Sequence, residues 1–75
     1  MKELIEYMAQ SLVDNPEAVY VEESMGVHSA VYKLHVAPED RGRVIGKGGR
    51  IANAMRILLR VAGTRQGKHV VLEIE

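Results

Sequence analysis

The chain has no cysteine, no tryptophan and no phenylalanine. Without cysteine, neither a disulfide nor a thiolate zinc site can staple it, so its 75 residues must rely on apolar packing, helped by oligomerisation. It has no apolar run near the roughly 20 residues that cross a bilayer, and Met1-Lys2-Glu3 does not open a signal peptide. These features predict a soluble, cytoplasmic protein with no membrane partner. His28, His35 and His69 show no ligand spacing and no compact carboxylate cluster joins them, so no metal or other cofactor is expected. Net charge is also missing: ten basic residues balance ten acidic ones, a total that by itself suggests no polyanionic partner.

The balance conceals a division. From Arg41 to Lys68 the chain holds eight basic residues (Arg41, Arg43, Lys47, Arg50, Arg56, Arg60, Arg65 and Lys68) and no acid, a formal charge of +8. The remainder sets Lys2 and Lys33 against all ten acids, or −8. Such asymmetry points towards nucleic acid.

Inside the basic segment lies Gly46-Lys47-Gly48-Gly49, flanked by Val44-Ile45 and Arg50-Ile51. Three glycines in four residues do not serve a hydrophobic core. They free the backbone for positive φ and allow another chain to approach it. A helix is expected to follow at once, so the loop sits at a helix N-terminus, where N–H groups favour anions. A basic glycine loop in this place suits a phosphate, and a G-x-x-G loop is the clamp used on single-stranded nucleic acid. The competing motifs fail on spacing. A P-loop needs four residues between its first glycine and its Gly-Lys, whereas Gly42 and Gly46 enclose only three. The dinucleotide fingerprint fails because Ile51 stands where its last glycine belongs. No paired carboxylates or Ser/His and Cys/His arrangements are present, so an enzyme is rejected.

Periodicity predicts six elements. Glu3 to Val13 reads as a helix with Leu4, Ile5, Met8 and Leu12 inward, stopped by Asp14-Asn15-Pro16. Ala18 to Met25 and Ser29 to Val36 alternate as strands and form an antiparallel hairpin, with Ala30, Tyr32, Leu34 and Val36 inward. Pro38 to Val44 is a short helix. The helix after the glycines runs from Arg50 to Ala62, with Ile51, Met55, Leu58 and Ala62 along its inner face and Gly63 as its stop. Arg56 and Arg60 fall on the opposite side and are expected to be solvated. Lys68 to Ile74 closes the chain as a strand parallel to the second, in a right-handed crossover. The expected architecture is α+β: one domain over residues 1–75, a three-stranded mixed sheet with helices packed on one face.

The stretch Gly42-Arg43-Val44-Ile45-Gly46-Lys47-Gly48-Gly49-Arg50-Ile51 resembles the signature of a KH domain, and the element order resembles the type II (bacterial) KH arrangement. Over its full length, including Glu3-Leu4-Ile5-Glu6-Tyr7 and Val36-Ala37-Pro38-Glu39-Asp40, the chain is similar to the single-KH bacterial RNA-binding proteins of the KhpA family. One departure is that Ile51 falls five residues after Gly46, earlier than in many KH domains. The resemblance implies a groove made from the short helix, the glycine loop, the following helix and a strand edge, holding about four nucleotides of single-stranded RNA. Gly46, Lys47, Gly48 and Gly49 would meet the sugar-phosphate backbone. Ile45 would give a base an apolar floor, Arg50 would reach a phosphate or base edge, and Arg41 and Arg43 would flank the path. With three tyrosines as its only aromatics, the chain would read bases by groove shape and hydrogen bonds. An RNA chaperone or post-transcriptional regulator is implied, pairing with itself or with a larger KH-containing RNA-binding protein.

The other reading is a protein-interaction module that keeps the KH shape and binds little RNA of its own. Ile57 and Val61, beside Ala54, exceed what one sheet can cover and offer a docking surface.

Overall fold

The computed structural model describes residues 1–75. Helix α1 covers Lys2–Leu12 and is followed by a 3₁₀ turn at Pro16–Ala18. Strands β1 (Tyr20–Met25) and β2 (Ser29–His35) form the expected antiparallel hairpin, with Tyr20 opposite His35 and Met25 opposite Ala30. The anticipated short helix is split into a 3₁₀ turn at Pro38–Asp40 and helix α2 at Arg41–Ile45. The glycine loop is a further 3₁₀ turn, Lys47–Gly49, leading into α3 at Arg50–Arg65. Strand β3, His69–Ile74, pairs in parallel with β2, which lies at the centre of a three-stranded sheet in the order β1-β2-β3.

Alternation along the strands assigns the two faces. Val21, Ala30, Tyr32, Leu34 and Leu72 point into one core cluster with Ile5, Ala9, Val44, Met55 and Leu59 from the helices. On the opposite, open face the Tyr20 and His35 rings stack with centroids 4.2 Å apart. Glu22 Oε1 lies 2.9 Å from His35 Nε2, close enough for an ion pair but outside hydrogen-bond geometry.

Three positions correct the periodic reading. Leu58 was expected inward but is exposed, and Leu59 is buried in its place. Buried residues Ala52, Met55, Leu59 and Gly63 define the inner face of α3, rotated from the stripe that Ile51, Leu58 and Ala62 suggested. Gly63 does not stop the helix, which runs on to Arg65. Its missing side chain serves packing: a Cβ there would overlap the Val70 side chain and lie 2.8 Å from the Lys68 carbonyl oxygen. Leu4, also expected inward, is 44% exposed, because Ile5 and Ala9 take the buried side of α1.

Candidate nucleic-acid interface

Helix α2 ends at Gly46, whose φ of 75° and ψ of 174° suit glycine. Its N–H donates to the Gly42 carbonyl at 2.8 Å. A Cβ on Gly46 would lie 2.8 Å from Ile51 Cγ1, so the protein itself requires this glycine. Gly48 differs. Its φ is +63°, yet a Cβ there would meet nothing within 4 Å. The space beside it is open to another molecule. Lys47 and Gly48 are exposed, whereas Gly46 and Gly49 are half-buried. The loop is thus not wholly free of the core, since Gly46 rests on Ile51, which packs against the core cluster.

Gly49 forms the N-cap of α3 in the left-handed conformation, with no side-chain cap and no acid in the first turn. Lys47 and Arg50 instead place two cations at the positive end of the helix dipole. Each such charge costs a few tenths of a kcal/mol or more at low salt, and a bound anion reverses the sign of that interaction. Folding does not neutralise the basic segment either. Of its eight cations only Arg43 has a carboxylate within 4.0 Å, leaving Arg41, Lys47, Arg50, Arg56, Arg60, Arg65 and Lys68 unpaired.

Arg43 belongs to the scaffold of the loop. Its Nη2 lies 2.8 Å from Asp14 Oδ2 and its Nε 3.5 Å from Asp40 Oδ1. Asp40 is fully buried and accepts hydrogen bonds from the Asp14 N–H at 3.2 Å and the Asn15 N–H at 3.1 Å. This cluster ties the chain leaving α1 to the start of α2, the helix that carries the loop. In the sequence Asp40 is conspicuous only as a helix-start acid. The signal that could have exposed its role is Asp14-Asn15-Pro16, a helix stop whose backbone N–H groups need acceptors.

Of the remaining expected residues, Arg41 and Ile45 lie at the two ends of α2 and Arg50 at the start of α3. Ile45 is 40% exposed just ahead of the loop, and Arg41 is exposed. Arg50 lines an apolar groove of about 480 Å³ with Tyr7, Met8, Ile51 and Leu58, on the α1 side. On the other flank a cavity of about 190 Å³ opens between α3 and β3, lined by Arg56, Leu59, Arg60 and His69 to Leu72. Arg56 is not simply solvated: it is half-buried, and its Nε donates to the Leu72 carbonyl at 3.3 Å. This cavity is the groove between α3 and the edge strand β3.

A family model described as KhpA/KhpB, KH domain, matches residues 2–74. The chain belongs to the KhpA/KhpB KH-domain family. It is 53% identical over 74 residues to the RNA-binding protein KhpA of Clostridium perfringens, with 99% of each chain covered. Identity to the RNA-binding protein KhpA of Clostridium acetobutylicum is 51%, over 99% of both chains. To the KhpA of Aquifex aeolicus it is 47%, covering 99% of this chain and 94% of the relative. The relatives are named for RNA binding, not for catalysis. No solved structure matches the chain. The α+β fold, with its three-stranded mixed sheet, is that of a type II KH domain. The early isoleucine also has an explanation, since Ala52, one residue later, takes the fully buried site at the start of α3 and leaves Ile51 half-buried.

Proposed function

We propose that this chain is a single KH domain over residues 1–75 that binds single-stranded RNA, about four nucleotides at a time. In this reading Gly46, Lys47, Gly48 and Gly49 clamp the sugar-phosphate backbone at the uncapped N-terminus of α3. Ile45 floors a base, Arg50 and Arg41 supply charge, and Arg43 holds the loop's scaffold while bordering the path. The observation that carries the reading is the open space beside Gly48 at positive φ, next to the unpaired Lys47. The family's KhpA relatives, named as RNA-binding proteins, support it. The role is that of a cytoplasmic RNA chaperone or post-transcriptional regulator.

A second reading, compatible with the first, rests on a different observation. Ile57, Leu58 and Val61 are each more than half exposed on α3, beside the exposed Ala54. They form an apolar stripe continuous with the groove against α1. Pairing through α3, with a second copy or with a larger KH protein, covers this stripe.

Amide resonances separate the two readings. Titration with single-stranded RNA should move the Lys47 and Gly48 signals. If RNA leaves the loop unmoved and only added protein shifts signals, along α3 alone, the clamp assignment fails and the interaction module stands.

A further inference from the structure

The strand-edge groove contains a hydrogen-bonding arrangement that long-range charge does not account for. The N–H groups of His69 and Glu75 donate to His28 and Leu34 carbonyls on the β2 side, at 2.8 and 2.9 Å. Backbone groups alternate along a strand, so those of Val70, Leu72 and Ile74 point to the free edge of β3. There the Leu72 carbonyl meets Arg56 Nε at 3.3 Å, and Arg56 Nη1 meets Asn53 Oδ1 at 3.4 Å. Both contacts are longer than the usual range of about 2.7–3.2 Å and are cheap to exchange. Arg56 has no carboxylate partner.

The position of Arg56 relative to the loop matters as much as its contacts. Gly49, Asn53, Arg56 and Arg60 recur at spacings of four and three and share one face of α3. A strand whose phosphates sit at the glycine loop and that follows this face turns its bases towards β3. The arginine fork presents only donors, and the Leu72 carbonyl beside it presents an acceptor. The Watson–Crick edge of cytosine matches this set, with two adjacent acceptors, N3 and O2, and one amino donor at N4. Adenine offers one ring acceptor beside its amine. Uracil and guanine would each turn a ring N–H towards the guanidinium.

Building on the RNA-binding reading above, we propose that Arg56, set against the free edge of β3 at Leu72, is the specificity-determining residue of the groove and selects cytosine. On binding, the fork gives up the Leu72 carbonyl for N3 and O2 of the base, and that carbonyl takes the N4 amine.

Anisotropy titrations of the whole chain with oligo-C, oligo-U and oligo-A RNAs of equal length test this. Wild type should favour oligo-C by about tenfold, the discrimination of one good bidentate pair. Arg56→Lys keeps the charge, so its salt dependence should match wild type while the preference collapses towards parity. Should Arg56→Lys fail to fold, the wild-type Arg56 Nε–H resonance serves instead: it should move with oligo-C and stay in place with oligo-U. Retention of the cytosine preference in a folded Arg56→Lys protein overturns the proposal, as does an Nε–H signal that responds equally to both RNAs. Equal wild-type affinity for all three RNAs overturns it and leaves RNA binding intact, whereas binding to none overturns both.

Discussion

At the scale of single residues, the buried side chain with most at stake is Asp40. It is fully enclosed, and its carboxylate serves two backbone N–H groups and the Arg43 guanidinium. Truncation to alanine orphans those donors, a loss of about 2–4 kcal/mol. The expected outcome for Asp40→Ala is a clear fall in urea midpoint, and an unchanged midpoint would show that the cluster does not hold α2. Tyr32 provides a test by pH. Its phenol is pushed up to about 12, first by burial and then by Glu23 and Glu3. A raised phenol pKa favours the neutral form in the folded state. The associated stability is complete below pH 10 and is lost as pH rises towards 12. A tyrosinate absorbance titration should contain a step near pH 12 that Tyr32→Phe abolishes. Neither role was legible beforehand, because a carboxylate at a helix start and a tyrosine in an alternating strand have the same local pattern whether or not distant backbone reaches them. The charge division and the three loop glycines were legible, since both are properties of adjacent residues.

Among the elements, α3 is where local pattern and tertiary packing part company. Its existence and start follow from the glycine loop. Its inner face and end do not, because Leu58 and Leu59 are chemically equivalent and only the approach of β3 chooses Leu59. Gly63 resembles a helix stop by composition, yet it is kept inside the helix by its contact with Val70 and Lys68. Gly63→Ala therefore sets two effects against each other. Helix propensity gains about 1 kcal/mol, and overlap with a packed strand costs about 1–3 kcal/mol or more. Because the obstructing atoms include backbone, overlap should win, and the melting temperature should drop. A stabilised variant would mean that α3 and β3 are free to move apart. By contrast, the hairpin and the parallel closing strand were legible apart from the start of β1, which begins at Tyr20 after a 3₁₀ turn that includes Ala18, since a period of two needs no knowledge of the partner.

The whole molecule joins a segregated surface charge to an uncovered apolar stripe. The stripe predicts assembly: Val61→Glu, on an exposed edge, should give a folded monomer that binds short RNA as wild type does and holds long RNA less tightly, because one groove replaces two linked ones. Sedimentation checks the first half, and a wild type that stays monomeric at high concentration and recovers no partner from cells contradicts the pairing. The charge predicts the salt response. With about two to four phosphates engaged, single-strand affinity should fall with a log–log salt slope of roughly −1.5 to −3. The most direct test of the central claim is the affinity of Lys47→Asp/Gly48→Asp for single-stranded RNA, measured beside wild type. Gly48 has room for a side chain, but its φ of +63° strains any residue other than glycine, so circular dichroism should match wild type while melting falls by several degrees. The account predicts that this folded double variant loses RNA binding, and undiminished affinity would contradict it.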